Sequence, residues 1–180
     1  MGIILGIVLL VILFWMIGAY NGLVRLKTAC EEAFSTMDIY LKKRSDLILN
    51  LVNTVKGNAK FEQETLQQVI EARNQTLNGS YKERIHAEKE LSSSLAHLIA
   101  VSEAYPELKA NQGFLALQKE LQQMEEEIAN ARRYYNGCVR NYNVRIQTIP
   151  TNMIASIAKF EAWDLFEISD DERKNVKVEF

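Results

Sequence analysis

Glu83 and His86 stand three residues apart in this 180-residue chain, a spacing at which one helix face can offer a carboxylate and an imidazole to a metal ion. A di-metal carboxylate site needs two such pairs and two further glutamates converging on a core. His97 has Ser94 in the matching position, so the second pair is missing and Glu83 with His86 reads as a surface pair. The chain contains no Gly-rich phosphate loop, His-Glu-x-x-His, Gly-x-Ser-x-Gly or Cys-x-x-Cys pattern. Cys30 and Cys138 fall at apolar seam positions, where a thiol serves as a small core residue. These residues point to no catalytic set, no cofactor and no bound metal, and the expected protein is not an enzyme.

The amides and tyrosines are more unusual. The dipeptide Tyr-Asn occurs at Tyr20-Asn21, Tyr135-Asn136 and Tyr142-Asn143, and Asn50 and Asn53 also lie in helical sequence, where asparagine is a poor helix former. In an antiparallel arrangement Tyr20-Asn21 and Tyr142-Asn143 fall at one level, so hydrogen bonds between the first and last long helices would fix their register. Arg44 interrupts an apolar stripe with Asp38 and Asp46 nearby, which predicts a buried ion pair. The same polar residues support an alternative, a ligand- or metal-sensing protein with a polar pocket inside a helical bundle.

The elements that must carry these residues follow from hydrophobic spacing. Residues Gly2 to Ala19 are uncharged and apolar on every face, long enough to cross the ~30 Å core of a bilayer at ~1.5 Å per residue. No Lys or Arg precedes the run and it exceeds the core of a secretory signal, so it is expected to remain as an anchor over 1–20. Arg25 and Lys27 follow it, with Lys42, Lys43 and Arg44 further on, which favours an outside N-terminus and a cytoplasmic domain.

Beyond the anchor, a stripe from Leu26 through Cys30, Ala33, Met37 and Leu41 to Val55 predicts a helix, continuous with the anchor or not, that breaks near Gly57 and Asn58. A shorter helix carries Leu66, Val69, Ile70 and Leu77 inward, and Asn78, Gly79 and Ser80 mark a turn. Another, about Tyr81 to Ala104, turns Ile85, Leu91, Leu95, Leu98 and Ile99 inward. The last runs from about Glu107 to Thr148, with Phe114, Leu117, Leu121, Met124, Ile128, Ala131, Tyr135, Cys138, Tyr142, Ile146 and Ile149 on its seam and the run Glu125 to Glu127 on a solvated face. Pro150 should end it. The fold class is all-α: a transmembrane helix, then an antiparallel up-and-down four-helix bundle over 21–166 and a charged tail over 167–180.

An even number of antiparallel helices returns the chain to its anchor. The strip beyond Pro150 should therefore meet the membrane surface, with Met153, Ile154, Ile157, Phe160, Trp163 and Phe166 as interface residues. A net charge of −2 and the lack of a basic stripe exclude nucleic acid as a partner.

The stretch YNGLVRLKTACEEAFSTMDIYLKKRSDLILNLVNTVKGNAKFEQETLQQVIEAR and the later SEAYPELKANQGFLALQKELQQMEEEIANARRYYNGCVRNYNVRIQTIPTN resemble the two halves of the LemA family signature, between Tyr20 and about Phe166. The chain departs from the family after Asn152, where KFEAWDLFEI replaces a Gly- and Phe-rich stretch with Lys-Pro, and at Leu49, which stands for a usual proline. The resemblance implies a single-pass membrane protein with a helical bundle and no assigned reaction. A magnetosome membrane protein is similar to the same family, which implies a role in membrane organisation. The expected function is a self-associating scaffold of the bacterial envelope, with membrane lipid, further copies of itself and envelope proteins as partners.

Overall fold

A computed structural model describes residues 1–57, 62–77 and 81–166. The described elements are all helical: α1 (Gly2–Lys56), α2 (Gln63–Leu77), α3 (Tyr81–Ser102), α4 (Pro106–Lys109), α5 (Gln112–Gln147) and α6 (Thr151–Ile157). The turn expected at Asn78 to Ser80 and the tail 167–180 lie outside the described residues, as does the side chain of Ile85.

The anchor and the first amphipathic helix are one uninterrupted 55-residue α1. Residues 2–18 are exposed throughout, and burial begins at Ala19 and Leu23, ahead of the stripe expected from Leu26, which is itself half-buried. Only 6% of the apolar window is buried, so this half of α1 is long and apolar enough to cross a membrane and is not a core helix of its own domain. The helix ends at Lys56, with Gly57 in the turn that follows.

The described chain forms two compact units, to both of which α1 and α5 contribute, across the stretch 21–166 expected as one domain. The first unit comprises Met1–Asp38 and Asn130–Phe166. Leu23, Cys30, Ala33 and Met37 of α1 and Tyr135, Val139, Tyr142 and Ile146 of α5 are buried in it. Phe34 meets Tyr135 at 6.0 Å between ring centroids, and Cys30 lies within electrostatic reach of Cys138 and Tyr142. Later positions of α5 thus meet earlier positions of α1, and the two segments run antiparallel.

The second unit, Ile39–Ala129, has one core to which α1 gives Ile48, Leu51, Val52 and Val55, α2 gives Leu66 and Val69, α3 gives Leu91, Leu95 and Leu98, and α4 and α5 give Leu108, Phe114 and Leu121. Leu77, expected inward, is exposed at the end of α2. The helix expected over 107–148 is divided. Asn111 ends it early, because its side-chain Oδ1 accepts the backbone N–H of Phe114 at 3.1 Å and caps a new helix there. Leu121 and Ile128 of the seam are buried, Met124 is half-buried and Ile149 is exposed.

At its other end α5 stops at Gln147, three residues before Pro150. Thr151 Oγ1 donates to the carbonyls of Arg145 (2.7 Å) and Thr148 (2.8 Å), occupying acceptors that the helix end leaves open. After α6, the N–H groups of Lys159 and Phe160 donate to the carbonyls of Ser156 and Ala155, a Schellman ending with Lys159 at φ 55°, the position usually given to glycine. This turn leads α6 into the non-helical segment 160–166.

Candidate functional site

The second half of α5 holds that segment with a repeated pair of side chains. Tyr135 and Asn136 recur seven residues later as Tyr142 and Asn143, on one face of the helix. Asn143 Nδ2 donates to the Trp163 carbonyl at 2.8 Å while its Oδ1 accepts the Trp163 N–H at 3.0 Å. Asn136 does the same for Phe166, at 2.9 and 2.7 Å. The Tyr142 hydroxyl donates to the Glu161 carbonyl and the Tyr135 hydroxyl to the Asp164 carbonyl, both at 2.9 Å. Seven residues of α5 thus answer to three of the segment. Seven helical residues rise about 10.5 Å, and three residues of an extended chain advance about 10 Å. The two spacings are close enough for both clasps to close at once.

These bonds correct the expected pairing of Tyr142-Asn143 with Tyr20-Asn21. The amides of α5 bond the backbone of 163 and 166, and Tyr20 instead meets the Phe160 ring at 5.7 Å, edge to face. Asn21, Asn50 and Asn53 lie on exposed faces of α1. The clasped segment was legible only as a Tyr-Asn repeat, since nothing in the sequence names a main chain as the partner. Burial pushes the Tyr142 hydroxyl up, with Cys30, Glu161 and Glu31 adding to the effect. Burial, then Cys138 and Glu31, raises the Cys30 thiol to about 11. Both cysteines are free.

The expected interface strip divides. Ile154 and Phe166 are buried, Phe160 and Trp163 half-buried, and only Met153 and Ile157 remain exposed. Ile154 instead packs inward with Thr151 and Ala155, while Met153 and Ile157, four apart, face out. Phe166 is covered by Arg132, whose guanidinium carbon lies 5.0 Å from the ring centroid.

In the second unit Arg44 is buried, as expected, with other partners than Asp38 and Asp46. Its guanidinium pairs with Glu88 of α3, and Nη1 donates to Glu125 of α5 at 2.8 Å and to Ser92 at 3.1 Å. Asp46 lies 3.9 Å from Arg73. Glu88 and Ser92, four apart on α3, share the face that meets Arg44. Glu125 turns inward from the acidic run while Glu126 and Glu127 stay exposed. Two carboxylates and a hydroxyl offset the charge of the buried guanidinium, while its Nε is left without a hydrogen-bond partner. His86 lies 3.6 Å from Glu90, both exposed, and among the described residues no three His, Cys, Asp or Glu side chains group as metal ligands.

The LemA family model matches residues 33–180, most of the chain and all of the α5 clasp. The chain belongs to the LemA family. It is similar to Protein LemA of Metamycoplasma hominis, 27% identical over 165 residues, covering 91% of this chain and 75% of that protein. It is also similar to Magnetosome protein MamQ 2 of Paramagnetospirillum magneticum, at 22% over 175 residues, and to Magnetosome protein MamQ of Magnetospirillum gryphiswaldense, at 21% over 174 residues. Those matches cover 82% of this LemA-family chain and 64% of each magnetosome protein, so the chain spans under two thirds of their length.

Proposed function

We propose that this LemA-family chain is a single-pass membrane protein that acts without catalysis, as a self-associating scaffold of the bacterial envelope. The observation that carries the reading is α1: its apolar half faces outward on all sides and continues without a break into residues packed against α5. A helix so built couples a membrane span directly to the first folded unit. The bundle around it is up-and-down and antiparallel, with its helices joined by short connections. Arg25 and Lys27 beyond the span support a cytoplasmic folded part. Self-association has support from the exposed apolar surface of α1, where Gly2 and Gly6, and again Gly18 and Gly22, stand four apart with open space over each. The likeness to proteins named for the magnetosome supports an organising role at a membrane.

Crosslinking in native membranes, paired with mass measurement of the solubilised full chain, tests the scaffold. Discrete multimers of this chain in both are expected, and a monomer in both overturns it. An engineered cysteine at the C-terminus of the full chain, challenged with an impermeant reagent in intact cells, tests orientation. Ready labelling would place the folded part outside.

A further inference from the structure

Residues 146–158 contain no Asp, Glu, Lys or Arg, and the run is bounded by two exposed cations, Arg145 and Lys159. Within it Ile149, Met153 and Ile157 are spaced four apart and are 78%, 66% and 76% exposed. The opposite side of α6 is already satisfied, since Thr151, Ile154 and Ala155 pack inward. The three outward side chains therefore contribute nothing to the core of their own unit. Leaving large apolar groups in water forgoes the gain that burying them would bring.

Their place in the unit says what covers them. Three residues after the end of α6, Phe160 packs against Tyr20 at 5.7 Å and lies 6.5 Å from Tyr142. Tyr20 lies two residues past the all-exposed stretch of α1, next to Ala19, where burial on α1 starts. The uncharged strip is thus fastened at the level where α1 passes from its apolar surface to its packed surface. Tyr at such a level, apolar side chains beside it and cations at the margins are the composition of a membrane–water interface.

We infer that Ile149, Met153 and Ile157 form a second membrane contact, seated in the headgroup and upper acyl region of the bilayer that α1 crosses, with Arg145 and Lys159 beside the lipid phosphates. The inference rests on the reading of α1 as a span and adds a lipid partner for the α6 face. The chain is then attached at two points within one unit, which limits swivelling of that unit about α1.

The test uses the full chain in nanodiscs of phosphatidylcholine and phosphatidylglycerol, with benzoylphenylalanine introduced singly at Leu10, Met153, Ile157 or Tyr134. All four positions are exposed, so the probe displaces no core. Irradiation should give phospholipid adducts at Leu10, Met153 and Ile157 and none at Tyr134, which lies on α5 in the same unit far from the strip. Lipid adducts at Leu10 with none at either Met153 or Ile157 overturn the inference and leave the anchor intact. Adducts between protein copies at Met153 and Ile157 overturn it in favour of a contact between chains. Failure at Leu10 removes the anchor itself, and the lipid contact with it.

Discussion

Each asparagine of the α5 clasp makes two bonds to one residue of the segment, so its loss removes a donor and an acceptor together. With a typical net worth of about 0.5–1.5 kcal/mol per bond, Asn143→Ala should lower stability by about 1–3 kcal/mol, read as a fall in the denaturation midpoint of the full chain in detergent. In a Trp15→Phe background the emission of Trp163 should shift to the red as its backbone is released. Asn141→Ala, on the exposed face of α5, should change the midpoint by no more than about 0.5 kcal/mol. Arg44 behaves differently because its removal strands a charge. Arg44→Met leaves buried Glu88 without its cation and should cost about 3–5 kcal/mol. Replacing Glu88 by Leu as well should return much of that stability, since half-exposed Glu125 can turn to water. A double variant as unstable as the single one would show that Glu88 is not what Arg44 neutralises.

At the scale of elements, the stripes fixed which helices exist and which faces they bury, because a 3.6-residue period survives without any knowledge of partners. The divided last helix was not legible in the same way. The seam runs through Leu108 and Phe114 with little interruption, and only the side chain of Asn111, bonded to the Phe114 N–H, distinguishes a cap from a helical asparagine. The Schellman turn after α6 was hidden for a related reason: it has Lys159 where the signal residue would be glycine. A left-handed residue with a Cβ costs roughly 1–2 kcal/mol, so Lys159→Gly should raise the midpoint of the full chain in detergent by about 1 kcal/mol, and Lys159→Val should lower it. No change in either variant would mean that the turn is not held at this φ in solution.

For the whole molecule, stability should fall on the alkaline side. The unfolded Cys30 thiol titrates near 9 and the folded one near 11, so between those values the unfolded chain releases a proton that the folded chain keeps. Stability from this group is complete below about pH 9 and is lost as pH rises through about 11. The raised Tyr142 hydroxyl acts in the same direction. Chemical denaturation of the full chain at pH 8 and again at about pH 10.5 should show the loss, and Cys30→Ala should flatten the slope. The long apolar helix at the start of α1 was the most legible feature of the sequence, because its run of uncharged residues is read without any knowledge of partners. The partner of the Tyr-Asn repeat was the least legible, because a backbone carries no residue-type signature.

That last point sets how much change of sequence the segment after α6 can absorb. The α5 amides and phenols touch peptide groups, and the side chains of Glu161, Ala162 and Leu165 are exposed. The clasp is therefore blind to spelling at those three positions. Substitution there should be nearly neutral, whereas proline is barred at Trp163 and Phe166, whose N–H groups are gripped. A stretch this permissive can be rewritten in a lineage while the helix that reads it stays unchanged.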